Sequence, residues 1–305
     1  MKLIPATISA IIGIYMLTSC ARTQTTTNLE DIDVNDSIAV VDTKAEDLNK
    51  SRTILYTLPA PIEMASIIKE TGVNFDDQLL AQLSRSQSYS SNLKMALNLG
   101  IYATDMSVSG MFNQSQRMVD YLNTLKGMTQ RLGIIKVLDE GVLAKLERSD
   151  LSRQEALNVI SEVYMNTNQY LTENNRRNVA TMVMSGAWVE GLYLALNLLN
   201  PDKLNSDIVE RIVAQKLSLA TLMNIIDGMN ANDSDKDLTY IHSRLEIISQ
   251  LYDGVSIQSN GRVSAITDAD TKTTTITANK VGPIDKDNLI ALKDAVTLVR
   301  NEFAE

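Results

Sequence analysis

The chain has 305 residues, 44% hydrophobic and 21% charged, so it carries enough apolar matter for one large core or two small ones and is no disordered polymer. A formal net charge of −9 argues against nucleic acid as a partner, because a phosphate backbone calls for a basic face. The single cysteine, Cys20, excludes an internal disulfide, and the single histidine, His242, leaves little for metal or Ser–His chemistry.

Residues 1–20 have the layout of a secretory signal peptide. Lys2 precedes an apolar run from Leu3 to Leu17, and small and polar residues lead into Cys20. The run is short for a bilayer-spanning helix, and no other apolar segment is read as long enough to hold the chain in a membrane. Leu17-Thr18-Ser19-Cys20 resembles the lipobox of bacterial lipoproteins. That resemblance implies acylation of Cys20, loss of the peptide before it, and the lipid bilayer as a partner. Buried acyl chains hold at roughly 0.8 kcal/mol per methylene, so several of them anchor firmly. Ala21 stands where lipoproteins retained in the inner membrane often carry aspartate, which implies the outer membrane. Arg22-Thr23-Gln24 follows and the acids begin only at Glu30, unlike the acid-led lipoproteins flipped to the cell surface; the periplasmic face is favoured.

Residues 21–52 are rich in Thr, Asn and Asp without sustained period, and read as a flexible acidic tether with a reach of roughly 30 Å. Asp31-Ile32-Asp33-Val34-Asn35-Asp36 resembles the start of a calcium loop. It has Asp36 where the sharp turn needs glycine, so a solvated linker explains it better and no metal is expected.

Residues 53–305 read as one all-α domain of about eight or nine helices. After a short helix behind Pro61, one helix is expected from Asn74 with Leu79, Leu80 and Leu83 on its apolar face. Others are expected over Ser90–Phe112, Gln114–Leu132, Ile135–Arg148, from the capping box Ser152–Glu155, over Asn175–Leu199, Asp207–Met229 and Asp235–Tyr252. Ser234 and Asp237 have capping-box spacing at the start of the last of these. Val255 to Ala278 is rich in Thr, Ile and Val, with Asn260-Gly261 in its middle, and suggests a small β-hairpin or irregular insertion. Asp285 then caps a final helix with Leu289, Leu292, Val296 and Val299 in its stripe.

Chemistry is sparsely signalled. His242 and Glu246 make an i,i+4 pair, and two ligands do not make a metal site. No phosphate loop, nucleophile elbow or zinc-protease motif is present, so no catalytic residue, cofactor or metal is assigned. The informative polar residues lie on two nearly all-round apolar helices. Asn98, Tyr102, Asp105 and Ser109 share one face of the first, and Glu190, Tyr193 and Asn197 one face of the second. Buried polar groups must find partners, so these form either an internal hydrogen-bond network or a polar ligand pocket between helices. Gly100 and Gly191, each inside such a helix, suggest close helix approach.

The segments Asn98-Leu99-Gly100-Ile101-Tyr102-Ala103-Thr104-Asp105 and Gly186-Ala187-Trp188-Val189-Glu190-Gly191-Leu192-Tyr193, with the lipobox and tether, resemble a group of uncharacterised helical lipoproteins of Bacteroidota-type bacteria. The resemblance implies an envelope address and a helical fold, and carries over no catalytic residue. The function expected is that of a membrane-tethered, non-enzymatic helical binding or scaffold protein with another envelope protein as partner. The alternatives are a small-molecule or glycan-binding lipoprotein and, after it, a carboxylate-dependent hydrolase.

Overall fold

A computed structural model describes residues 72–135, 152–199, 206–231, 234–253 and 284–305, strands over 263–268 and 273–278, and helical positions at 65–66, 68–69, 141 and 144–145. The leader, Cys20, the tether and the calcium-loop likeness lie outside the described residues, as does most of the helix expected at Ile135–Arg148. The architecture is all-α. Its described helices are α1 (Asn92–Met111), α2 (Ser115–Arg131), α3 (Arg153–Glu173), α4 (Arg177–Leu198), α5 (Ser206–Met229), α6 (Lys236–Asp253) and α7 (Lys286–Ala304). All described residues belong to one compact unit.

Helix α4 is the axis. It packs on α1, α3, α5, α6 and α7, and every residue from Val179 to Leu196 is buried. A helix apolar on all sides has no face to give to water, so neighbours must surround it. By length and composition alone α4 would also serve as a membrane span, which corrects the expectation that no segment beyond the leader is long enough; its apolar window is wholly buried inside the protein. Helix α1 lies against α4 and also contacts α2, α3 and α7.

The α1–α4 contact is close because two glycines face it. A Cβ on Gly100 would lie 2.0 Å from the Val183 carbonyl oxygen, and one on Gly186 would lie 2.0 Å from that of Leu97. The Thr104 hydroxyl bridges the seam, 3.2 Å from both the Gly100 and Ala187 carbonyl oxygens. Gly100 was expected to mark this approach, whereas its counterpart is Gly186. Gly191 is also buried, five residues on and so about 140° further around the helix.

Caps explain most boundaries. Ser91 accepts from Lys94, Ser152 and Glu155 complete the capping box, and Asp285 accepts from Asn288 at 2.8 Å. Helix α4 starts two residues later than expected because Asn175, at φ +57°, ends α3. The Arg176 amide there reaches the Leu171 carbonyl at 2.7 Å, leaving the left-handed position to an asparagine. For α6 the cap is Asp235 rather than Ser234: its Oδ1 accepts from the Asp237 and Leu238 amides.

Two elements differ from expectation. No α-helix starts at Asn74; Asp77–Leu79 and Leu83–Gln87 form short 3-10 turns instead. The reason is tertiary. The carbonyls of Ala81, Gln82, Ser86 and Tyr89 accept from Tyr121, Tyr102 and Arg131, so side chains of α1 and α2 take up backbone groups that an α-helix would pair internally. The hairpin pairs β1 (Val263–Asp268) with β2 (Thr273–Ala278), antiparallel, with Asp268 opposite Thr273. The chain therefore reverses between those two residues. Asn260-Gly261 precedes β1 and is not the turn, because the β-branched runs that pair lie on the C-terminal side of it.

Candidate functional site

Helix α1 carries Asn98, Tyr102, Asp105 and Ser109 into the interior, all fully buried, and α4 carries Glu190, also fully buried. The two helices pack together, and the Glu190 carboxyl lies close enough to act on that of Asp105. Arg300 of α7 closes the group. Its Nε donates to Glu190 Oε2 at 2.8 Å and its Nη2 to Oε1 at 3.1 Å, a bidentate pair, and the guanidinium stacks 4.7 Å over the Tyr193 ring. Nη2 also lies 3.4 Å from the Leu79 carbonyl of the 3-10 segment.

Asp105 differs from its neighbour. Its Oδ2 accepts from the Ala81 amide at 2.9 Å, while Oδ1 has no donor among the described residues. Burial pushes the Asp105 carboxyl well above the usual range. The Glu190 charge adds to that shift, against the opposing pull of Arg300 and the Ala81 amide. Burial favours the protonated form of Asp105, which avoids a second buried charge beside Glu190. One negative charge then faces one guanidinium.

A tyrosine cluster surrounds this centre. Tyr121 donates to the Ala81 carbonyl at 2.8 Å, Tyr102 to the Gln82 carbonyl at 2.9 Å, and Tyr89 to the Ala304 carbonyl at 3.0 Å. Burial raises all three phenols, so they remain neutral donors. Asn98 and Lys94 cap the end of α7: Asn98 Nδ2 donates to the Phe303 carbonyl at 2.8 Å and Lys94 Nζ to that of Glu302 at 2.6 Å.

The expected site residues thus divide. Asp105, Glu190 and Tyr193 meet around Arg300, Tyr102 engages Tyr89 and the Gln82 carbonyl, and Asn98 joins α1 to the end of α7. Asn197 does not reach the cluster; half-buried, it donates to the Tyr193 carbonyl of its own helix at 2.9 Å. The Ser109 hydroxyl finds no partner among the described residues. Arg300, Tyr121 and Tyr89 were missed from sequence. The signal for Arg300 was available: it lies one turn after Val296 and one before Phe303's end of the stripe, beside a face that is otherwise apolar.

Chemically the centre is a buried carboxyl pair with a fixed cation, the parts of an acid–base site. Each part is engaged by another protein group, and both carboxyls have no exposed surface on which a substrate could sit. Elsewhere, His242 Nε2 lies 3.2 Å from Asp227 Oδ1, and Glu246 accepts from Gln250. Among the described residues no three His, Cys, Asp or Glu side chains gather as a metal site. No protein-family model, curated protein or solved structure matches the chain.

Proposed function

We propose that this is a lipid-anchored outer-membrane lipoprotein, held through Cys20 at the periplasmic face, whose helical body binds or braces another envelope protein without catalysing a reaction. The anchor half of the reading rests on Leu17-Thr18-Ser19-Cys20 behind its charged and apolar leader. Residues 21–52 then serve as the tether between lipid and body.

The observation that carries the non-enzymatic half is the closure of the Asp105–Glu190–Arg300 centre. A glycan pocket or a carboxylate hydrolase needs polar side chains free to meet a ligand. Here the acids, the guanidinium and the phenols are directed at one another and at the backbone of the 3-10 segment. Such a network supports a rigid body that presents its outer surface to a partner.

Fractionation tests the anchor. Wild type is expected with the outer membrane, and Cys20→Ser is expected to lose leader processing and membrane retention that survives carbonate washing. A cleaved Cys20→Ser protein that stays in the membrane without detergent overturns the lipid reading. Native pull-down from gently solubilised membranes tests the partner: a stoichiometric envelope protein is expected, and recovery of the chain alone from crosslinked cells overturns the scaffold reading.

A further inference from the structure

Away from the carboxyl centre, a cavity of about 50 Å³, partly open to solvent, lies among α1, α2, α3 and α4. Leu99 and Met106 of α1, Leu125 of α2, Ile160 and Val163 of α3 and Val183 of α4 line it. Two threonines and the half-buried Tyr164 reach it as well. The Thr129 hydroxyl already donates to the Lys126 carbonyl at 2.9 Å and the Thr167 hydroxyl to the Val163 carbonyl at 2.7 Å, so both protons are engaged within their own helices. A trapped water needs two to four polar partners, and this lining offers few. An apolar occupant therefore gains more from the cavity than water does.

The size narrows the occupant. At about 50 Å³ the cavity is smaller than the roughly 150 Å³ of an apolar cavity that takes benzene. An unbranched alkyl end is the slimmest apolar group that such a space can take. Lys126 supplies the second constraint. It is exposed and lies one helical turn from two lining residues, Leu122 and Thr129, so it stands on the face of α2 that borders the cavity.

We propose that this cavity binds the end of an unbranched alkyl chain carrying an anionic head group, the chain between α2 and α3 and the head group at Lys126. The chemistry is shared by free fatty acids and anionic phospholipids. The site does not depend on the anchor or on a protein partner, so it stands or falls separately from the scaffold reading.

The test uses the mature chain from residue 20 with Cys20→Ser, so that neither acylation nor the apolar leader competes. Calorimetric titration with dodecanoate, below its micelle concentration, is expected to show saturable one-to-one binding. Ala103→Leu, which fills the cavity from the half-buried Ala103, is expected to weaken dodecanoate and dodecanol alike by about tenfold. Val163→Leu is a second filling variant if the first melts early. Lys126→Ala is expected to weaken dodecanoate by about tenfold and leave dodecanol unchanged. Co-sedimentation with phosphatidylglycerol vesicles separates the sources: binding with the same variant pattern assigns a phospholipid chain, and its absence beside dodecanoate binding assigns a free fatty acid. No saturable binding of either amphiphile or of vesicles, or binding that ignores both filling variants, overturns the site. A dodecanoate affinity unchanged in Lys126→Ala overturns the head-group assignment.

Discussion

At the residue scale the decisive group is Asp105, whose folded carboxyl holds its proton more tightly than the unfolded chain does. The folded value is raised above the unfolded one of about 3.9, so the folded state binds more protons between the two. Its contribution to stability is complete below about pH 4 and is lost as pH rises through the folded value. Asp105→Asn keeps an acceptor for the Ala81 amide and a donor toward Glu190, but does not titrate. Urea midpoints of wild type and Asp105→Asn are therefore expected to diverge in favour of the variant as pH is raised from 4 to 9; a constant gap would sink the protonated-carboxyl reading. Arg300 is the complementary case. Arg300→Met leaves Glu190 buried without its cation and is expected to cost about 3–5 kcal/mol, with part recovered in the double variant with Glu190→Gln. If the double variant is no more stable than Arg300→Met alone, the pair is not what holds α7 to α4.

At the scale of elements, two contacts have opposite sequence visibility. The α1–α4 seam depends on absent side chains, and Gly100→Ala or Gly186→Ala would drive a Cβ into the backbone of the facing helix. Each is expected to destabilise by about 1–3 kcal/mol, whereas Gly127→Ala in α2, where a Cβ meets nothing within 4 Å, is expected to stabilise by up to about 1 kcal/mol. Thermal melts of the three variants check the signs, and stabilisation at Gly100 or Gly186 would refute the close seam. The 3-10 segment over residues 77–87 is held instead by borrowed hydrogen bonds. Tyr121→Phe removes the donor to the Ala81 carbonyl, so amide exchange is expected to quicken across Ala81–Tyr89 while α4 keeps its protection. Uniform quickening would mean that the segment opens only with the whole fold.

At the scale of the molecule, tether and body are expected to part under protease. Limited digestion should cut within residues 21–52 and leave a folded fragment that begins near residues 54–61; a mature chain that resists throughout that stretch would mean the tether is docked. Most of the described helices, the caps Ser152 and Asp285 and the presence of a β insertion were legible in the sequence, because 3.6-residue periodicity, Ser and Asp caps and β-branched runs are local consequences of backbone geometry. So was the pairing of Tyr102 with Asp105, and of Glu190 with Tyr193, on buried helix faces, since an apolar helix makes any polar residue in it conspicuous. Three things needed the tertiary structure. Arg300 joins Glu190 from 110 residues away, the Asn74 helix gives way to 3-10 turns because α1 and α2 supply its partners, and Gly186 is the residue of α4 that meets α1 beside Gly100. Each is set by which faces of separate helices come together, and local periodicity fixes a residue's place on its own helix while leaving open the angle and register at which two helices meet.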